Sequence, residues 1–135
     1  MTLQVEVVSP EQVLWTGEAE MVSARTVGGG DIAFLTGHAP FVGALDIGVV
    51  TVRPPEGVDE LVAVHGGFVE VSNDRVTLLS DVSELSSQVD VARARAALER
   101  AEAALRTSST DADAAAAKRR AEVRLAVAGA TAAPH

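Results

Sequence analysis

Ser80-Asp-Val-Ser-Glu-Leu-Ser-Ser-Gln-Val-Asp-Val-Ala-Arg-Ala-Arg-Ala-Ala-Leu-Glu-Arg-Ala101 carries the chain out of one kind of sequence and into another. Upstream, ten of the eleven glycines fall between Gly17 and Gly67; downstream, eight of the eleven basic residues fall between Arg93 and Gly129. Up to Ser86 there are thirteen acidic residues against three basic ones, and from Ser87 onward eight basic against six acidic. The break predicts two units, 1–86 and 87–135, that meet different partners.

A chain of 135 residues can bury a core of its own. With no cysteine there is no disulfide framework, no thiolate metal site and no thiol nucleophile, which fits a reducing, cytosolic setting. The start, Met1-Thr-Leu-Gln-Val-Glu, lacks the basic and long apolar regions of a secretory signal, and no stretch matches a membrane span. A net charge of −8, with three Phe and one Trp, argues against a nucleic-acid surface.

Leu3, Val5 and Val7 alternate with Gln4 and Glu6, the period of a strand buried on one face. Similar runs recur at Gln12–Thr16, Glu18–Thr26, Asp31–Leu35, Gly48–Arg53, Glu60–His65, Phe68–Ser72 and Arg75–Ser80, separated by Gly, Pro, Asn or Asp. This spacing predicts a β-sandwich or barrel. Asn73-Asp74 and Pro54-Pro-Glu-Gly57 sit where hairpin turns are needed, so the runs that flank them are expected to pair antiparallel. Gly28-Gly-Gly30 is followed by a strand pattern and not by a helix, so it reads as a turn, not a phosphate cradle. His38 and His65 stand in no metal-ligand spacing, and no nucleophile elbow, P-loop or histidine–carboxylate set is present. The residues give no ground for catalysis.

From Ser87 the pattern turns helical. Ser87-x-x-Asp90 and Thr110-x-x-Asp113 read as capping-box-like starts. Val91, Ala94, Leu98, Ala101 and Leu105 form one apolar stripe, and Ala114, Ala117, Ala121, Leu125 and Ala128 a second that stops before Gly129. An antiparallel helical hairpin is expected, held by little more than alanine methyl groups at about 0.8 kcal/mol per buried carbon. Such helices persist singly while their docking is easily exchanged.

Asp90, Arg93, Ala97 and Arg100 share a helix face, and Arg120 and Arg124 form an i, i+4 pair on the other helix. Guanidinium clusters suit phosphate oxygens because each offers a planar fork of donors. The same residues also read as an ordinary solvated Arg/Glu face, with Arg95–Glu99 and Lys118–Glu122 as helix pairs worth a few tenths of a kcal/mol. The first reading leaves open a free-standing module that senses a phosphate-bearing ligand such as ATP.

Two segments carry a resemblance. Asp31-Ile-Ala-Phe-Leu-Thr-Gly-His-Ala-Pro-Phe-Val-Gly-Ala-Leu-Asp-Ile-Gly-Val-Val50 and Val64-His-Gly-Gly-Phe-Val-Glu-Val-Ser-Asn-Asp-Arg-Val-Thr-Leu-Leu-Ser-Asp81 closely resemble the Gly-His-Ala-Pro loop and Gly-Gly-Phe-x-Glu-Val hairpin of the ε subunits of bacterial F-type ATP synthases. The likeness spans Leu3 to Arg106, with Thr36 where the family often has Pro and an enlarged Pro54–Asp59 loop. It implies an α+β fold: an antiparallel β-sandwich of about ten strands in residues 1–86 and a two-helix hairpin in residues 87–135. It also implies a non-catalytic rotor subunit on the cytoplasmic face of the membrane, touching the membrane only through the ring of c subunits. The sandwich would grip γ and that ring, with Asp31 and His38 as contacts, and Lys118 and Arg119 would dock on the catalytic β subunit. Val89-Asp-Val-Ala-Arg-Ala-Arg-Ala-Ala-Leu-Glu-Arg-Ala-Glu102 is similar to the family's regulatory ATP pattern, aliphatic-Asp-x-x-Arg-Ala-x-x-Ala-x-x-Arg-Ala-Glu. The implied site comprises Asp90, Arg93, Ala94, Ala97, Arg100, Arg120 and Arg124, holds ATP or Mg-ATP without hydrolysing it, and keeps the hairpin folded.

Overall fold

The computed structural model describes residues 2–129; residues 130–135, the end of the helical unit, lie outside it. Ten strands form two five-stranded sheets, followed by a 3₁₀ turn at Ser86–Gln88 and two helices. The first sheet has the order β2 (Val13–Ala19), β1 (Leu3–Val8), β9 (Arg75–Leu79), β8 (Phe68–Ser72), β5 (Phe41–Ala44). The second has the order β10 (Ser83–Leu85), β7 (Glu60–His65), β6 (Ile47–Arg53), β3 (Met21–Thr26), β4 (Gly30–Leu35). Every pairing is antiparallel but one: β1 and β9 run parallel.

The alternation of β1 does what its sequence predicts, with Leu3, Val5 and Val7 all turned into the core. They join Leu78 of the same sheet and meet Phe34 and a set of valines from the facing one. Asn73 and Asp74 adopt φ of 51° and 59°, the left-handed pair that a two-residue hairpin between β8 and β9 requires. The three glycines turn β3 into β4, and the Thr26 hydroxyl closes the turn by donating to the Gly30 carbonyl at 2.9 Å.

Strand boundaries differ from the sequence reading at Gly17. β2 passes straight through it, because the Trp15 ring folds over the glycine; a Cβ there would lie 2.8 Å from the indole. The aromatic ring supplies the packing that glycine lacks. The break falls instead at Glu20, where the chain leaves one sheet for the other. β5 and β10 are too short to show as apolar runs, and each is held by pairing with a longer neighbour, β8 or β7.

Helix α1 spans Val91–Thr107 and α2 spans Ala112–Val127. Both begin later than the Ser and Thr signals suggest, α1 with its cap three residues beyond Ser87 and α2 with its cap one residue beyond Thr110. Val89 and Asp90 are extended, so Ser87 sits in the separate 3₁₀ turn and the Asp90 carboxylate caps α1 by accepting from the Arg93 amide at 3.0 Å. Asp111 caps α2 in the same way through the Ala114 amide. Gly129, at φ 74°, terminates α2 and donates to the Ala126 carbonyl.

The helices form an antiparallel hairpin around Ala94, Leu98, Ala121 and Leu125. The same α2 rests on the outer face of β6 and β7. That explains why β7 is buried on both faces: Val62 and Val64 point into the sandwich while Ala63, equally inaccessible, lies under the helix. The seam is thinly apolar. Between α2 and the sheet, Val123, Ile47 and Val49 share a gap of about 360 Å³ with Arg25, Asp31, Arg119 and Glu122.

Candidate functional site

A cavity of about 480 Å³ lies where the hairpin meets the edge of the second sheet. Each segment contributes for a local reason. Asp90 is fixed as the α1 cap, and helical spacing then places Arg93, Ala94, Ala97 and Arg100 along the same wall. Arg124 enters from α2 and Glu84 from β10. Gln88 completes the lining, its side-chain oxygen held by the Leu85 amide at 2.9 Å.

The charges are unevenly paired. Arg124 Nε donates to Glu84 Oε1 at 2.5 Å, an ion pair that ties α2 to β10. One Asp90 oxygen is occupied by the helix cap. Arg93 and Arg100 have no side-chain ion pair among the described residues. Two guanidinium groups therefore face a polar cavity with their donors unspent, while Ala94 and Ala97 leave the wall between them low. Guanidinium donors left free in this way suit an anion with several oxygens.

His65 lies beneath this site. Its side chain is 3 % exposed, Nε2 is 3.9 Å from Glu84 Oε1, and among the described residues neither ring nitrogen has a hydrogen-bond partner. Burial, and then the positive charge of Arg124, push its pKa down to about 4; Glu84 opposes the shift and Arg120 adds to it. The imidazole is neutral at physiological pH.

Six of the seven residues expected at the site, Asp90, Arg93, Ala94, Ala97, Arg100 and Arg124, line the one cavity. Arg120 does not line it; one turn before Arg124 it acts on His65 instead. Glu84, Gln88 and His65 escape the sequence reading, since β10 shows no run of its own and only the docking of α2 brings these side chains to the helices. Arg119 pairs with Asp46 at 3.7 Å, and Asp46 also lies 3.8 Å from Arg25. The ion pairs of α2 thus run across the seam and not along the helix. Lys118, beside it, is half-buried with no ion pair among the described residues.

Asp31 and His38 stand at opposite ends of β4 and are not brought together. Asp31 is exposed opposite Arg25, on the gap under α2. His38 sits edge-on to Phe34 at 5.0 Å, with Nδ1–H donating to the Ala39 carbonyl at 2.7 Å. Among the described residues no group of three His, Cys, Asp or Glu side chains could hold a metal ion.

Residues 2–86 match the family described as ATP synthase, Delta/Epsilon chain, beta-sandwich domain. The chain is 46 % identical over 123 residues to the ATP synthase epsilon chain of Streptomyces griseus, covering 91 % of this chain and 92 % of that one. It is also 46 % identical over 110 residues to the epsilon chain of Halalkalibacterium halodurans, covering 82 % and 81 %. In fold it resembles a chain of the Euglena gracilis mitochondrial ATP synthase OSCP/F1/c-ring structure, with a TM-score of 0.69 at 21 % identity over 96 % of this chain and 78 % of the other. A second neighbour comes from the Tetrahymena thermophila mitochondrial ATP synthase central stalk and c-ring, with a TM-score of 0.58 at 15 % identity over 97 % and 98 %. The sandwich alone defines the broader delta/epsilon class; identity sustained through the hairpin narrows it, and the chain belongs to the ATP synthase epsilon-chain family.

Proposed function

We propose that this chain is a non-catalytic rotor subunit of an F-type ATP synthase. Its sandwich joins γ to the ring of c subunits, and its hairpin restrains ATP hydrolysis and is held docked by ATP. One observation carries the regulatory part: the cavity takes its walls from β10, the 3₁₀ turn, α1 and α2, so it exists only while the hairpin rests on the sandwich. A ligand that bonds both sides stabilises that state by its own binding energy. Arg93, Arg100 and Arg124 would hold phosphate oxygens, and the low wall at Ala94 and Ala97 would admit the flat base.

The weak seam supports the release. When α2 leaves, Arg119 loses only Asp46, and Lys118 and Arg119 are free to meet an acidic surface of the catalytic β subunit. Asp31 would face the polar loops of the c-ring, with His38 in the adjoining loop. Among the described residues no helix is long and apolar enough to cross a membrane, so contact with the membrane would run through the c-ring on its cytoplasmic face.

Calorimetry with ATP on the full chain tests the site. Arg93→Ala/Arg100→Ala should weaken binding at least 10-fold, since each charge-assisted bond contributes about 1.5–3 kcal/mol; no heat at millimolar ATP would remove the nucleotide. The rotor role fails if the chain does not co-purify with γ. Hydrolysis by the assembled enzyme should rise when the chain ends at Val89, which spares β10; equal rates at low ATP would remove the inhibitory role.

A further inference from the structure

We infer that His65 is a proton-operated release for the docked hairpin: protonating its imidazole draws Glu84 away from Arg124 and loosens α2 from β7 and β10. The inference concerns the docking itself and stands whether or not the cavity binds nucleotide.

The geometry is that of a trapped neutral base. β7 delivers His65 to the outer face of the sheet, opposite Ile47 of β6, which brings no charge. β10 brings Glu84 to 3.9 Å, and α2 brings Arg124 and Arg120 over the ring. From the segment before β10, Asp81 lines the same cavity as His65 at the end of the sandwich, about 530 Å³ in volume. Asp46, next to Ile47, is engaged by Arg25 and Arg119. A proton arriving on His65 thus finds, among the described residues, the guanidinium groups of Arg124 and Arg120 against it and the Glu84 carboxylate beside it, already bonded to Arg124. His65 and Arg124 approach the same oxygen, Oε1, so in this geometry the cation competes with the ion pair that fastens α2. With the hairpin released, both arginines leave and the ring regains solvent.

The direction follows from linkage. The docked state holds His65 neutral down to about pH 4, whereas the released ring takes its proton near 6.5. Released chains therefore bind more protons between these values, and docking is fully present above about pH 6.5 and lost progressively as pH falls toward 4. From pH 7.5 to pH 5 the docked-to-released ratio should fall about 30-fold.

The chain has no cysteine, so Glu56→Cys on the sandwich and Ala126→Cys on α2 place two spin labels uniquely. Distance distributions from pH 7.5 to pH 5, without nucleotide, should show the released population growing, and His65→Gln should flatten that growth. A released population that does not change with pH, or an identical profile in His65→Gln, would overturn the inference. Should His65→Gln undock the hairpin at every pH, imidazole NMR on the unsubstituted chain decides: His65 titrating below pH 5 supports the release, and titration near 6.5 rejects it. In Arg124→Gln the same resonance should move up; an unmoved midpoint counts against the coupling.

Discussion

The sandwich and the hairpin bury their apolar groups in different ways. The sandwich closes over Phe34, Leu3, Leu78 and stiff, β-branched valines that interdigitate between two sheets. The hairpin closes over two leucines and two alanines, with Val91 and Ala97 at the margin. An alanine contributes one methyl, so the helices owe their persistence to propensity and caps more than to lateral contact. One part of the molecule is closely interlocked, and the other is lightly held. The gap under α2 and the ion pairs across the seam belong to the second design.

The contrast can be broken most severely from the sandwich side. Phe34→Ala, at a fully buried ring that also touches Phe41 and His38, should cost about 3–5 kcal/mol. Urea unfolding followed at Trp15, the single tryptophan, reads this directly. Next comes Leu125→Ala, expected to cost about 2–3 kcal/mol of helix docking. Far-UV circular dichroism should show the helical transition moving while the Trp15 transition stays; equal shifts in both would mean that the two parts unfold as one. Glu84→Gln removes a charged acceptor from Arg124 and should weaken docking by about 1–2 kcal/mol, seen as a larger released population at pH 7.5. The smallest effect is expected at Asp111→Ala, where the loss of the α2 cap costs about 1 kcal/mol of helicity and leaves Trp15 fluorescence unchanged.

The reach of the sequence differs between these parts for a physical reason. Period-two alternation in β1 and the Asn73-Asp74 turn are local signals, and both appear in the structure as read. Gly17 misleads because the residue that compensates it, Trp15, acts through a ring lying over the strand, which composition does not reveal. Ser87 misleads because the backbone at Val89 and Asp90 is extended, leaving the cap to Asp90 itself. At the cavity, the α1 residues were legible because helical spacing alone puts them on one face. Glu84, Gln88 and His65 were not, because no periodicity within their own segment points at another.

By itself, then, the sequence determined that an acidic, glycine-punctuated β unit precedes an alanine-rich pair of helices, and that Asp90, Arg93, Ala97 and Arg100 share one helix face, since turn chemistry and side-chain periodicity are properties of neighbouring residues. Only the tertiary structure decided that α2 lies on β6 and β7, that Arg124 and not Arg120 meets Glu84, and that His65 is sealed beneath them. Those outcomes depend on which face of a sheet is left for a helix to cover, and that is fixed only when residues far apart in the chain compete for the same buried surface.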